Sequence, residues 1–249
     1  KTRGDVVKDY IALIKMKPFR NIALYIFFTC VNYSIASAAF VFLMSNNLGL
    51  SADKQAIYWT TYTVICFAML PVCNFLATRM GKKLVTIVLC LITIAGCLFF
   101  AAFGIQTYHQ LLIYTVIYNI SNVCFWTIGY AMVNDCCEVF EYISGERREG
   151  SINGIASFAQ KFGSAIGMWL SGILLSIVGY HAELEEQSAS ALNGILQLNT
   201  LIPAIAIIIS VIFVILYPIT EKRYRSLMEA LQARERGESY SDENLKKLF

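Results

Sequence analysis

The chain has 249 residues, of which 57% are apolar and 15% charged, against roughly 45–50% and 25% for a soluble domain. That excess needs a solvent other than water and argues against a large soluble helical protein. The net charge of +3 says little by itself and gives no reason to expect a nucleic-acid partner; where the charges fall is more informative.

A bilayer core about 30 Å thick is crossed by about 20 apolar residues at a helical rise of 1.5 Å each. Six stretches meet that length, and they predict transmembrane helices at Asn21–Met44, Ala56–Ala77, Leu84–Phe103, Leu111–Val133, Ile152–Val178 and Ile195–Tyr217. Residues 1–20 read as a charged cytoplasmic linker with an amphipathic stretch at Asp5–Met16. They carry no signal-like apolar run and no initiator Met, so the start is read as cut from something longer. Residues 218–249 read as a tail. Within it Tyr224, Leu227, Met228 and Leu231 recur at helical spacing, which suggests a second helix lying in the membrane interface; Gly237–Phe249 is polar and has little to bury.

Basic residues gather before the first span, in alternate breaks (Arg79, Lys82, Lys83; Arg147, Arg148) and after the last span. Lys54 stands in an intervening break, and Lys161 alone lies inside a span. By the positive-inside rule both termini are cytoplasmic.

Inside the spans, polar residues form faces. In span one Tyr25, Thr29, Tyr33 and Ser37 follow one another at four-residue spacing, with Asn32 beside them. In span four Thr115, Asn119, Asn122, Trp126 and Tyr130 make a second stripe. An indole beside amides suits a sugar, whose apolar ring face stacks on aromatics while its hydroxyls take hydrogen bonds; equally, Trp126 fills space in the bundle.

In span five Asn153, Ser157, Lys161 and Ser164 share a face flanked by Gln160, and that face is expected to point into the bundle. An ammonium at bilayer depth costs about 2.5–3.5 kcal/mol on insertion scales. Lys161 lies about 13 Å into its span at helical rise, so it is either a functional charge or one that snorkels to the interface. No Asp or Glu lies within the six apolar cores, so Lys161 is expected to have no intramembrane acidic partner in this chain. Gly163 and Gly167 make a GxxxG spacing suited to close helix contact. Pro71 and Pro203 interrupt spans two and six and predict kinks. The eight cysteines show no metal-ligand spacing and read as small apolar fillers. With His109 and His181 isolated in loops, there is no nucleophile and base constellation, and an enzyme is not expected. After span four, Asp135, Glu138, Glu141, Glu146 and Glu149 face Arg147 and Arg148: either a gate locked by ion pairs or a solvated loop.

Three motifs carry a resemblance: Arg79-Met80-Gly81-Lys82-Lys83, the charged run Asp135 to Glu149, and Ala159-Gln160-Lys161-Phe162-Gly163-Ser164-Ala165; the tail Tyr217 to Tyr224 is also similar. The chain resembles the glycoside-pentoside-hexuronide (melibiose permease-like) cation symporters of the major facilitator superfamily, over helices seven to twelve of the usual twelve. The resemblance implies an all-α membrane fold, the C-terminal half of a twelve-helix bundle built as two inverted three-helix repeats. It implies symport of a sugar with Na+, H+ or Li+ by alternating access, no tightly bound cofactor, and a location in the bacterial inner membrane among lipid. An N-terminal six-helix half would be the partner and would carry the family's cation-binding aspartates, so no complete cation site is implied in this chain. Lys161 matches a family lysine near the cation site, and Trp126, nine residues before Asp135, matches an aromatic lining the sugar cavity. The implied substrate-binding set is Trp126, Asn122, Asn119, Tyr25, Asn32, Ser157 and Gln160, with Lys161 for coupling and Asp135, Glu138, Glu141, Arg147 and Arg148 for gating. Ala156 and Ser157 stand where the family pattern has a Gln-Thr pair, which leaves the sugar and cation open. A carrier for a drug or peptide, or a non-transporting membrane subunit with the same fold, are the other readings.

Overall fold

The computed structural model describes residues 11–184, 186–237 and 245, and every regular element among them is helical. The expected stretch at Asp5–Met16 and the polar tail fall largely outside the described residues; residues 11–15 are helical, with Leu13 buried.

Helix α1 (Lys17–Phe42) begins with Pro18 in its first turn, where a missing N–H leaves no intrahelical bond unmade. It runs into a π turn at Leu43–Asn47. Helix α2 (Ala52–Met80) accommodates Pro71, and almost none of its apolar surface is covered by the rest of the chain. A single residue, Gly81, separates α2 from α3 (Lys82–Phe103). Its φ of 84° is a conformation that L side chains rarely adopt, and a Cβ there would stand 3.1 Å from that of Glu221. The glycine of the Arg79–Lys83 motif is therefore required by the turn. Helix α4 (Tyr108–Cys124) starts with a reciprocal cap between Thr107 and Gln110 and passes through a π turn at Phe125–Gly129 into α5 (Tyr130–Ser144), which Gly145 ends in a left-handed conformation.

Helix α6 (Glu149–Ile177) makes its most extensive contact with α1. Gly163 and Gly167 are the reason: a Cβ on either would stand 2.5 Å from the carbonyl oxygen of Phe27 or Val31. Only glycine lets these two backbones approach so closely, as the spacing predicts.

The last apolar run is broken into α7 (Ala189–Asn199) and α8 (Leu201–Leu216) at Thr200. Pro203 has no N–H to offer the carbonyl of Asn199, four residues back; the Tyr114 hydroxyl of α4 donates to that oxygen instead. Helix α9 (Glu221–Arg236), capped by Thr220, differs from the expected interfacial helix. Leu227 and Ala230 are fully buried in one cluster with Val139 and Phe140 of α5, so the apolar stripe docks on protein.

Among the described residues, five stretches are helices long and apolar enough to cross a membrane: Lys17–Asn47, Ala52–Met80, Lys82–Phe103, Tyr108–Ser144 and Ala189–Leu216. The sixth expected span is α6. Its 29 residues suffice in length, but Asn153, Ser157, Gln160, Lys161 and Ser164 dilute its apolar character.

Candidate functional site

The alternate basic breaks converge at one end of the bundle. Lys82 Nζ bonds Asp135 Oδ1 at 2.5 Å, with the Asp135 side chain almost wholly buried, and lies 4.8 Å from the centre of the Tyr224 ring. Burial, with the charges of Asp135 and Glu138 behind it, pushes the Tyr224 hydroxyl up to about 12, so the ring stays neutral beneath the ammonium. Lys83 Nζ donates to the carbonyls of Ile215 and Tyr217, both at 2.7 Å, satisfying the open end of α8. Arg234 reaches the carbonyl of Tyr142.

Arg147 joins three carboxylates: Glu149 at 2.6 Å, Glu141 at 3.2 Å and Glu138 at 3.7 Å. The hydrogen bond to Glu149, foremost, raises its pKa. Arg148 pairs with Glu146 at 2.5 Å. All five residues expected at a gate thus lie in ion pairs: Lys82 ties the start of α3 to α5, Arg147 ties α5 to the start of α6, and the Arg148–Glu146 pair lies within the connection between α5 and α6.

Further into the bundle an open cavity of about 220 Å³ lies among α1, α2, α4 and the end of α7. Helix α4 and its π turn supply Tyr114, Thr115, Tyr118, Asn119, Asn122 and Trp126; α1 supplies Tyr33, Ser37 and Phe40. The remaining wall is Tyr58, Trp59 and Tyr62 of α2, with Asn199 at the end of α7. Helical spacing puts Tyr114, Tyr118 and Asn122 on one line of α4, and Tyr58 and Tyr62 on one line of α2.

Four tyrosine hydroxyls in the wall are hydrogen-bonded, two of them as acceptors that keep an O–H to donate. Tyr58 shares a 2.8 Å bond with Thr115, Tyr62 accepts from Asn122 Nδ2 at 2.9 Å, Tyr118 accepts from Asn32 Nδ2 at 3.4 Å, and Tyr114 bonds Asn199. Held this way, the residues line the cavity with ring carbon. Asn119 and Asn122 are joined at 3.2 Å, while Asn122 Oδ1 and Asn199 Oδ1 find no partner among the described residues. None of the lining residues is charged.

Of the residues expected to bind substrate, Trp126, Asn122 and Asn119 meet in this cavity. Trp126 is about half exposed and stacks on Tyr130, with ring centres 5.9 Å apart and planes within 3°. Tyr25 is placed behind the wall, fully buried with its ring 5.7 Å from that of Phe125. Asn32 is also buried and reaches the cavity only through Tyr118. Gln160 accepts a 2.6 Å bond from the Tyr130 hydroxyl. Ser157, one turn earlier on α6, does not line the cavity.

Lys161 differs from the expectation that its face points into this bundle. The buried face of α6 is Ile152, Ala156, Gly163, Gly167 and Ser171, which seats on α1. Lys161 is exposed on the other side with Phe158, Phe162 and Trp169, and has no ion-pair partner among the described residues. The aromatics of α2, and Asn199, were not singled out by the sequence. The Tyr58-Trp59-Tyr62 cluster on a peripheral span was the signal available.

The sequence pattern of a family described as MFS/sugar transport protein matches residues 1–221. The chain belongs to this family. It is a multi-pass membrane protein, and the family is one of transporters rather than enzymes. Its relatives include the uncharacterized symporter YjmB of Bacillus subtilis, 28% identical over 236 residues, covering 92% of this chain and 49% of that protein. The glucuronide carrier protein homolog of Escherichia coli is 26% identical over 203 residues, 82% of this chain and 44% of that protein. The isoprimeverose transporter of Lactiplantibacillus pentosus is 30% identical over 112 residues, 45% of this chain and 23% of that protein. The chain thus spans about half the length of the relatives that match most of it.

Proposed function

We propose that this chain supplies six membrane-crossing helices, the C-terminal half, to a symporter that couples a glycoside, pentoside or hexuronide to Na+, H+ or Li+ at the bacterial inner membrane, with both termini cytoplasmic. The observation that carries this reading is the uncharged, aromatic-walled cavity on α4. A sugar ring presents apolar C–H faces for stacking and hydroxyls for amides, and the cavity offers ring carbon together with Asn119 and Asn122. Its volume of about 220 Å³ is below the ~300–1,000 Å³ of a complete small-ligand pocket, which suits a site closed by a second half.

The exposed apolar faces of α2 and α6 support the same arrangement. On α6 Lys161, with no ion-pair partner among the described residues, is exposed along with Phe158, Phe162 and Trp169. Against lipid that charge would be expensive, whereas against another six-helix bundle it gains carboxylate partners. Lys161 is assigned the coupling role: carboxylates of the other half neutralise it in one state and release it when the cation binds. The ion pairs at the basic end join helices of this same half and keep that end together as the halves rock.

The test is uptake by the transporter with both halves present, reconstituted in vesicles, of labelled methyl glucoside, xylose and glucuronate under a Na+ or a pH gradient. Accumulation of at least one sugar above its equilibrium level, lost on collapsing the gradient, supports the reading. Gradient-independent uptake of all three, or none, refutes it.

A further inference from the structure

The rod from Tyr108 to Ser144 is continuous except for the π turn at Phe125–Gly129, and that turn contains Trp126 and ends at the residue before Tyr130, its partner in one aromatic stack. A π turn carries one residue more than the α-helical register requires and can be absorbed or moved, so it is a joint at which side chains on either side change their relative direction. Within the turn Trp126 faces the cavity. On its downstream side the Tyr130 hydroxyl donates to Gln160 Oε1 at 2.6 Å, thirty residues along the chain. Gln160 is the residue before Lys161 on α6.

We infer that Tyr130 is the positioning residue that couples the two sites: its ring reads Trp126 and its hydroxyl fixes the turn of α6 that bears Lys161. Substrate stacking on Trp126 biases the π turn, the turn sets Tyr130, and the Tyr130–Gln160 bond transmits that setting to α6. Two features single out this contact. Gly163 and Gly167 seat α6 on α1 along its opposite flank, where Ser164 also meets the Cys30 thiol, while the Tyr130–Gln160 bond ties α6 to α5 beside Lys161. Tyr130 and Gln160 are both only partly buried, leaving room for the bond to break and reform. The inference rests on the coupling role assigned to Lys161 above.

The experiment uses the complete transporter and the same three labelled sugars, comparing Tyr130→Phe, Gln160→Leu, the double variant and Lys161→Leu. Tyr130→Phe keeps the ring stack and removes only the hydroxyl. Sugar affinity should change by less than about twofold, while the ratio of uptake with and without the gradient falls by about three- to tenfold, the effect of losing one net hydrogen bond. Gln160→Leu should reproduce that loss, and the double variant should be no worse than either single one, because both remove the same bond. Full coupling in both single variants, or additive losses in the double, overturns the inference. The Lys161→Leu arm separates the two readings. If it loses coupling while Tyr130→Phe does not, only the Tyr130 inference falls; if Lys161→Leu accumulates sugar like the parent, the coupling role of the lysine falls and the inference falls with it.

Discussion

Replacing Gly167 by Ala adds one methyl group at the contact of α1 and α6. The new Cβ would stand 2.5 Å from the carbonyl oxygen of Val31, 2.8 Å from the Cβ of Ser34 and 3.0 Å from the Val31 Cα, whereas ordinary contact begins at 3.4 Å. Two of these three atoms belong to the α1 backbone, so no rotamer change relieves them; the helices must part by the better part of an ångström along their most extensive contact. Overpacking of this kind costs about 1–3 kcal/mol, and the rigidity of the obstruction puts Gly167→Ala near the upper end. Gly163→Ala meets one backbone oxygen at 2.5 Å and should cost somewhat less. The same helix supplies its own controls: Gly154 and Gly172 have nothing within 4 Å, and alanine there should be neutral or stabilise by up to about 1 kcal/mol through helix propensity. Equilibrium unfolding of the full transporter in mixed micelles, by denaturing-detergent titration, measures all four. A Gly167→Ala variant within about 0.5 kcal/mol of the parent, or a Gly172→Ala variant equally damaged, would refute the close-approach account of the α1–α6 contact.

Lys82→Met leaves the Asp135 carboxylate buried without its partner and should destabilise by about 3 kcal/mol; Lys82→Met combined with Asp135→Leu should regain most of that loss, as read by the same titration. Trp126→Ala should weaken sugar binding about two- to tenfold, the range of one aromatic contact, with normal insertion and stability; unchanged affinity by equilibrium dialysis would reduce Trp126 to a filler. Leu227→Asp introduces a charge where the side chain is fully buried and should release α9, seen as faster proteolysis in the segment from Tyr217 to Thr220; an unchanged digestion pattern would contradict the docking of α9 on α5.

Much of the architecture is legible in composition because a bilayer imposes length and hydropathy. The apolar runs, the Gly163–Gly167 spacing and the stripe Asn119, Asn122, Trp126 each follow from one helix considered alone. What sequence reasoning misses depends on other helices. A π turn has no residue signature, so the joint at Phe125–Gly129 is invisible before the structure. The break at Thr200 follows from Pro203, yet its stabilisation by Tyr114 requires knowing that α4 lies alongside. Tyr25 and Asn32 share the helical stripe of Tyr33 and Ser37, but the cavity touches only the latter pair, since a four-residue repeat drifts around the helix over several turns. The polar face of α6 was legible, and the direction it points was not, because Gly163 and Gly167 claim the side toward α1.

The central claim is that the cavity on α4 holds the sugar, and the three tryptophans report on it directly. Trp59 and Trp126 line the cavity, while Trp169 is exposed on α6 away from it. In the complete transporter, with tryptophans replaced by Phe to leave Trp126, Trp59 or Trp169 as the sole indole of this chain and none in the other half, fluorescence is recorded while methyl glucoside, xylose or glucuronate is titrated. A saturable change carried by Trp126 and Trp59 and absent from Trp169, for at least one sugar, is the expected result. A saturable change at Trp169 with silence at Trp126 and Trp59 would contradict the account.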